Sequence, residues 1–320
     1  MQNSAAKILG RQQDRKWNFH LADYGFIAAF FILLMIASTM TDVFFTQRNL
    51  SNLFRQIVTN GLLSFGQLIV ILSGGIDLSI GPIVALTGIM AAGLQAYLWF
   101  PLAILVALAV GMTVGAVNGF LIARFKLQPF IVTLATMGAI RGIVYVYSET
   151  PKVPVDPAFR SLLGGGFIGP VPVPAIILIA FFPLVWIFLK RTTPGRAIVA
   201  IGGNEETVRL AGINVKAHIM LAYISSGFFA GIAGVLLASR LGIAQPSVGV
   251  GYELDAIAAV VIGGGILGGG GGGAVGTMGG VLALGLIDNL LNLFNVQSYY
   301  QQILKGLLIL FAVLMRRKEK

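Results

Sequence analysis

Residues 101–123 read PLAILVALAVGMTVGAVNGFLIA and contain no charged side chain. About 20 consecutive apolar residues suffice to cross the hydrocarbon core of a bilayer, so this run predicts a transmembrane helix. Within it, Gly111, Gly115 and Gly119 recur every four residues and therefore share one face. Small residues at this spacing let helices approach closely in lipid. The stripe predicts close packing, either within one subunit or between two subunits.

Similar apolar runs occur along the whole chain. Hydrophobic residues make up 57% of the sequence and charged residues 11%, whereas a soluble domain carries roughly 25% charged residues. We therefore predict an all-α integral membrane protein, a polytopic bundle of about ten transmembrane helices. The eighth is short and rich in glycine, so we expect it to be broken or re-entrant. The predicted spans are 24–41, 55–73, 80–98, 101–123, 129–147, 173–189, 217–239, 253–266, 274–294 and 299–315.

The basic residues predict the orientation of these spans. The formal net charge is +10, but the basic residues lie at the termini and between apolar runs, which argues against nucleic acid binding. With a cytoplasmic N-terminus, 15 Lys and Arg residues fall inside and 5 outside, as the positive-inside rule requires. We expect a cytoplasmic segment at 1–23, a transmembrane domain at 24–315 with a cytoplasmic loop at about 190–216, and a cytoplasmic tail at 316–320.

Several kinds of catalytic chemistry are excluded by composition and context. The chain has no cysteine and two histidines, which excludes thiolate metal sites and argues against a metalloenzyme or an intramembrane enzyme. Gly263, Gly265 and Gly268 match a dinucleotide fingerprint formally, but they lie between membrane spans rather than in a strand–turn–helix unit. A phosphate-binding loop motif is also lacking. We therefore expect a non-catalytic chain without a metal site, so any ATP must be hydrolysed by another subunit.

The loop at 190–216 contains the signals of a short helix. Asn204 is a favoured N-cap residue, and Glu205 and Glu206 place negative charge in the first turn. Gly212 suits the left-handed position after a helix end. These residues predict a short helix at about 205–211.

Acidic residues also occur near the starts of two spans. Asp77 or Ser79 could cap the third span, before Pro82, and a direct contact of Asp77 with the solute is the alternative. Glu253 and Asp255 lie similarly at the start of the eighth span, where either residue could cap the helix or act in gating.

One polar stripe stands out in the ninth span. Asp288, Asn292 and Asn295 are spaced i, i+4 and i+7 and should share a helical face. Such residues turn toward protein or water. Either they bond neighbouring helices, with Asp288 paired to Lys305 or Arg141, or they line a weakly polar translocation path.

Four stretches together resemble the membrane subunit of ribose-type ABC sugar importers, and the likeness covers about residues 40–315. They are SGGIDLSIG (73–81), LQPFIVTL (127–134), TPGR (193–196) with GGNE (202–205) and AGIN (211–214), and GYELDAIAA (251–259). The family's glycine-rich turn usually includes a larger or charged residue, whereas 268–273 are all glycine here.

The resemblance implies a bacterial inner-membrane complex of two permease subunits, two cytoplasmic ATPase subunits and an external solute-binding protein. ATP and Mg²⁺ would be used by the ATPase, and this chain would bind no cofactor. The short helix would be the coupling helix that sits in a groove of the ATPase. The residues that the resemblance assigns to coupling are Gly195, Arg196, Asn204, Glu205, Glu206, Arg209 and Gly212.

Two alternatives stay open at this point. The solute could be a nucleoside or another small polar metabolite rather than a sugar. A secondary transporter or channel would need ionisable relays within the membrane, and only Arg141, Asp288 and Lys305 are candidates, which is sparse.

Overall fold

The computed structural model of the chain describes residues 34, 35, 39 and 41–317. The first predicted span, 24–41, the predicted cytoplasmic segment at 1–23 and residues 318–320 of the predicted tail at 316–320 lie almost wholly outside these residues. The helices are α1 (Gln47–Leu72), α2 (Ile80–Gly93), α3 (Phe100–Phe125), α4 (Pro129–Tyr147), α5 (Val173–Arg191), α6 (Thr193–Gly203), α7 (Glu205–Leu210), α8 (Val215–Leu241), α9 (Tyr252–Ile262), α10 (Ala274–Leu293) and α11 (Ser298–Arg317).

Each predicted span after the first overlaps one of these helices. Among the described residues, six helices are long and apolar enough to cross a membrane, namely α1, α3, α4, α5, α8 and α10. The all-α membrane class is therefore confirmed. As expected for the eighth span, α9 is short, and it ends at Ile262 because the chain turns at the glycines that follow.

The core of the molecule is built around α8, which packs against α1, α2 and α3. The predicted glycine stripe of α3 faces α8. A Cβ placed on Gly115 would lie 2.2 Å from the carbonyl oxygen of Tyr223, and one on Gly111 would lie 2.8 Å from that of Gly227. The stripe thus serves close packing within this chain, the first of the two expected uses.

The connection between α4 and α5 contains regular structure. It contains a short π-helix, Phe159–Gly164, and a hairpin of β1 (Phe167–Ile168) with β2 (Val171–Pro172). The backbone of Lys152 pairs with that of Ala244 at 2.9 and 2.8 Å. This pairing ties the connection to the segment between α8 and α9.

Candidate functional site

Asp77 lies in the turn between α1 and α2, and its side chain is fully buried. Its Oδ1 accepts hydrogen bonds from the backbone N–H and the hydroxyl of Ser79, at 2.9 and 2.6 Å. Its Oδ2 accepts one from the hydroxyl of Ser226 in α8, at 2.8 Å. The capping of α2 expected from Asp77 or Ser79 is not formed, because Ser79, at the N-cap position, donates its hydroxyl to Asp77 and makes no side-chain cap hydrogen bond.

A chain of buried polar groups extends from this turn into the neighbouring helices. The amide of Asn118 in α3 donates to the hydroxyl of Ser79 at 2.9 Å, and the hydroxyl of Thr136 in α4 donates to Asn118 at 2.6 Å. With its amide oxygen facing the backbone N–H of Asp77, Gln67 in α1 bonds both backbone groups of Asp77, at 3.2 and 3.1 Å. These partners were missed in the sequence, where isolated polar residues inside apolar spans were the available signal.

The depth of this turn follows from its partner on α8. Ser226 lies 11 residues into a helix of 27 residues, which is roughly 16 Å along a length of about 40 Å. From there α2 follows the second half of α8, since Gly88 contacts the backbone of Gly234. The helix α2 therefore begins near mid-depth, so it is a half-helix within the bundle.

The start of α9 meets the start of α2 at this depth. A Cβ on Gly81 would lie 2.3 Å from the carbonyl oxygen of Gly249 and 2.5 Å from Oε2 of Glu253. Oε1 of Glu253 accepts the backbone N–H of Gly251 at 3.3 Å. Glu253 therefore caps the start of α9, which is one of the two roles expected for it. Among the described residues, no group donates a hydrogen bond to Oε2 of Glu253.

Arg141 on α4 anchors the segment that leads into α9. Its Nη1 donates to the carbonyl oxygens of Pro246 and Val248, at 2.6 and 2.8 Å. The two bonds fix the approach of this loop to the start of α9. Lys305 and Arg141 were the two partners considered for Asp288. Because Arg141 bonds the loop before α9, Asp288 pairs with Lys305 instead.

Lys305 of α11 bridges two carboxylates. Its Nζ lies 2.9 Å from Oδ2 of Asp255 and 3.1 Å from Oδ2 of Asp288. These contacts join α9, α10 and α11. The capping role considered for Asp255 is wrong, because its carboxylate is turned toward the lysine.

The predicted stripe on α10 holds only in part. The helix ends at Leu293, and Asn295 lies beyond it with a φ of +54°. Its N–H donates to Asn292 and that of Val296 to Leu291, at 3.0 and 2.9 Å, which is a Schellman helix end. The prediction that Asn295 shares a helical face with Asp288 and Asn292 is therefore wrong. Asparagine tolerates the left-handed conformation, and Asn295 adopts it where the helix stops.

The other members of this region point in different directions. Asn292 is exposed and accepts a hydrogen bond from Gln301 at 2.9 Å. The neighbouring Asn289 is buried and exchanges two hydrogen bonds with Asn49 of α1, at 3.1 and 2.9 Å. The pairs formed by Asp288 and Asn289 correspond to the helix-bonding alternative considered for this face.

The predicted short helix is confirmed as α7. Oδ1 of Asn204 accepts the N–H of Thr207 at 2.8 Å. At the other end Gly212 has a φ of +78° and its N–H donates to Arg209 at 3.0 Å, while the N–H of Ile213 donates to Val208 at 3.3 Å. This is again a Schellman ending, and the local prediction from Asn204 and Gly212 was correct.

An ion pair lies on the outer side of α7. Nε of Arg209 donates to Oε2 of Glu206 at 2.8 Å, and this hydrogen bond lowers the pKa of the Glu206 carboxyl below its usual value of 4.5. Both side chains are exposed, as is that of Glu205. The pair is therefore available at the surface and is worth little to stability by itself.

The helix α6 leads into α7 from the end of α5. Its N-cap Thr192 accepts the N–H of Gly195 at 3.2 Å, and a Cβ on Gly195 would lie 1.9 Å from the carbonyl oxygen of Phe188. Glycine is thus required where α6 folds back on α5. Arg196 is exposed and donates to the carbonyl of Arg191 at 3.1 Å.

Comparison with known proteins gives one consistent result. Residues 49–313 match the family described as branched-chain amino acid transport system / permease component. The ribose import permease protein RbsC of Bacillus subtilis is 44% identical over 90% of this chain and 91% of its own length. The L-arabinose transport system permease protein AraH of Escherichia coli is 36% identical over 92% and 90%. No solved structure matches the chain.

These matches span almost the whole chain, including the Asp77 turn and the α6–α7 pair. The apolar helices place it in the inner membrane as a multi-pass protein. Its relatives are transport subunits without a catalytic function of their own. The chain belongs to the permease family of ribose-type ABC importers and is a non-catalytic, sugar-importing membrane subunit.

Proposed function

We propose that this permease conducts a sugar related to ribose into the cytoplasm, driven by ATP and Mg²⁺ bound to a separate ATPase subunit. The partners we assign to it are two such ATPases, an external solute-binding protein and a second permease subunit. The observation that carries the proposal is the exposed helix α7, which lies between the GGNE (202–205) and AGIN (211–214) stretches of the family resemblance. Similarity to permeases for ribose, allose and arabinose supports a sugar as solute.

Helix α7 has the geometry of a docking element. Its inner face rests on the bundle through Val208, which packs with Ile201 of α6 and Val215 of α8. Its outer face presents Leu210, which is 74% exposed. We propose that Leu210 enters a groove of the ATPase, flanked by the coupling residues Gly195, Arg196, Asn204, Glu205, Glu206, Arg209 and Gly212.

Truncation of Leu210 tests this docking. Burial of a leucine contributes about 1.5–3 kcal/mol, or about 10- to 100-fold in affinity. Leu210→Ala should weaken ATPase binding by that factor, whereas Leu184→Ala on α5, also an exposed leucine at 56%, should not. Equal ATPase affinity for both variants would refute the docking.

Gly212 gives a second test, because its contribution is conformational. A valine there would have to adopt a positive φ, which β-branched residues rarely do. Gly212→Val should distort the end of α7 and reduce solute-stimulated ATP hydrolysis while the protein still inserts. Unchanged stimulation in the reconstituted complex would contradict the assignment.

The proposed topology has ten spans with both termini in the cytoplasm. The asymmetry of 15 to 5 basic residues supports it, with α2, α9, α11 and the first apolar run as the remaining membrane segments. Reporter fusions at Lys320 and within the loop at 148–172 should give opposite sides. Reporters on the same side would show that the ten-span model is wrong.

We place the translocation path where α2 and α9 begin. Broken helices that start near mid-depth are typical of solute sites in transporters. Of the acidic candidates, Asp77 is held by three hydrogen bonds, and Asp255 and Asp288 share a lysine. Oδ1 of Asp288 and Oε2 of Glu253 both lack a donor among the described residues, but the charge of Asp288 is paired with Lys305, whereas Glu253 has no such ion pair there. We therefore assign the solute contact or gate to Glu253.

The matched substitutions are Glu253→Gln and Asn292→Ala, measured for transport and for thermal stability on one preparation. Glu253→Gln should lower transport per folded molecule at nearly unchanged stability. Asn292, which is exposed and bonded to α11, should affect stability at most. Normal transport by Glu253→Gln would remove Glu253 from the path, and a loss in Asn292→Ala at full stability would place Asn292 there instead.

The outer docking face for the binding protein is assigned to the loop at 148–172. Val153 and Val155 are 65% and 66% exposed, and an open cleft of about 500 Å³ lies beside them, lined also by Asp156 and Arg160. The solute itself is best identified from the co-encoded binding protein. A bound pentose or hexose supports the proposal, and a nucleoside would replace it with the alternative solute class.

A further inference from the structure

Three backbone segments meet at Gly202, near the end of α6. A Cβ on this residue would lie 2.0 Å from the carbonyl oxygen of Leu72 and 2.6 Å from the nitrogen of Gly270. The N–H of Gly270 donates to the same carbonyl of Leu72 at 3.1 Å. A Cβ on Gly269 would lie 2.7 Å from Cα of Gly202 and 2.9 Å from Cα of Gly74. We call Gly202, Leu72, Gly269 and Gly270 the glycine junction.

Each segment of the junction continues into a part of the transporter with a separate role. Gly202 is followed closely by Asn204, which caps α7. Leu72 is the last residue of α1 and is followed by the turn that holds Asp77. The glycine run connects α9 with α10. The junction thus lies between the exposed helix α7 and the buried start of α2.

The character of these contacts matters for transmission of movement. Side chains between two elements can change rotamer and absorb a small displacement, whereas contacts between backbones in a densely packed region cannot. At the junction the backbones touch directly. Gly269 and Gly270 also have φ of +94° and +72°, which side chains rarely allow.

We propose that the glycine junction transmits displacement of α6 and α7 to the Asp77 turn, so that Gly202, Gly269 and Gly270 are positioning residues for coupled transport. The proposal rests on the docking of α7 proposed above. Under this proposal Gly269 and Gly270, inside the glycine run, are required for coupling, whereas Gly268 and Gly273 at its ends are not. Within the described part of the chain, a Cβ on Gly268 or Gly273 would meet no atom within 4 Å.

The chain offers matched alanine substitutions for this test. Gly202→Ala places a methyl against Leu72, whereas Gly203→Ala places one where the described residues leave space. Gly270→Ala and Gly268→Ala form a second pair of the same kind. The full complex, reconstituted with its co-encoded ATPase and binding protein, is assayed for solute transported per ATP hydrolysed and for thermal stability.

Gly202→Ala and Gly270→Ala should retain ATPase binding and lower transport per ATP by about 2- to 30-fold, the range found for substitutions along coupled contacts. Gly203→Ala and Gly268→Ala should change it by less than about twofold. A purely structural role would lower stability and leave the ratio of transport to hydrolysis in folded complexes unchanged. That result, in a complex whose α7 docking has passed the Leu210→Ala test, overturns the junction while leaving the proposed function intact.

A second measurement tests the proposal even if Gly202→Ala and Gly270→Ala do not fold, because it uses positions where an added side chain meets no atom within 4 Å. The chain lacks cysteine, so spin labels can be attached through Gly203→Cys and Gly268→Cys. If the junction moves as one body, the distance between these labels stays the same in the nucleotide-free and ATP-trapped complexes. Separation of the labels on ATP binding would show that the junction opens, and would refute the proposal.

Discussion

Replacement of Lys305 by methionine should be among the most damaging single changes in the described part of the bundle. Lys305 is shared by Asp255 and Asp288 at 2.9 and 3.1 Å, so the two carboxylate oxygens are at most about 6 Å apart. At an effective dielectric constant of about 20, each ion pair gains about 5 kcal/mol, and two carboxylates at that distance repel by about 3 kcal/mol. Desolvation offsets much of the attraction, and removal of one partner of a buried pair typically costs about 3–5 kcal/mol.

Thermal unfolding in detergent measures this cost. At roughly 2 °C per kcal/mol for a large domain, Lys305→Met should lower the midpoint by about 6–10 °C. Asp288→Asn is the matched control, because it keeps the Lys305–Asp255 pair at 2.9 Å and brings the cluster to neutral charge. The triple variant with Asp255→Asn and Asp288→Asn should recover most of the loss. A midpoint for Lys305→Met equal to that of the unmodified protein, or a triple variant no better than the single, would refute the electrostatic account.

Three further predictions follow from the packing and the surface. Asn49→Ala and Asn289→Ala should each cost about 1–3 kcal/mol, because the first leaves the buried Asn289 amide without its partner and the second leaves the amide oxygen of Asn49 without its donor. The double variant should cost less than their sum in a double-mutant cycle. Gly115→Val should force α3 from α8 and abolish folded protein on detergent size-exclusion, whereas Gly138→Val, where the described residues leave space, should not. NMR titration should find the pKa of Glu206 below 4.5, so the ion pair supports α7 above that pH and is lost as pH falls; a value at or above 4.5 would mean that its arginine partner does not bond it in solution.

Local signals in the sequence were sufficient where one residue decides the backbone. Asn204 and Gly212 define both ends of α7 because capping depends on side-chain reach and on tolerance of positive φ. The α3 stripe was equally readable, since a four-residue period defines one face of a helix. The same local reasoning missed Asn295, whose ability to end a helix competed with the periodicity that placed it on α10.

Contacts between distant segments could not be read in this way. The bonds from Gln67, Asn118 and Ser226 to the Asp77 turn depend on how α1, α3 and α8 are arranged in three dimensions. Each of these residues is a polar group within an apolar run, which predicts an inward orientation but not a partner. Likewise a run of glycines is consistent with a flexible turn, and only its contact with Gly202 shows which members are confined.

The arrangement of polar groups also bears on why Glu253 is the strongest candidate for the path. A carboxylate that accepts several short hydrogen bonds, such as that of Asp77, is fixed and would have to break them to bind a solute. A carboxylate paired with a lysine, such as that of Asp288, is held by charge. Glu253 has one oxygen engaged with the backbone of its own helix and the other beside Gly81. The glycine run that follows α9 contains Gly269 and Gly270 of the glycine junction, so a displacement transmitted through the junction would act on α9 and on the contact of Glu253 with Gly81.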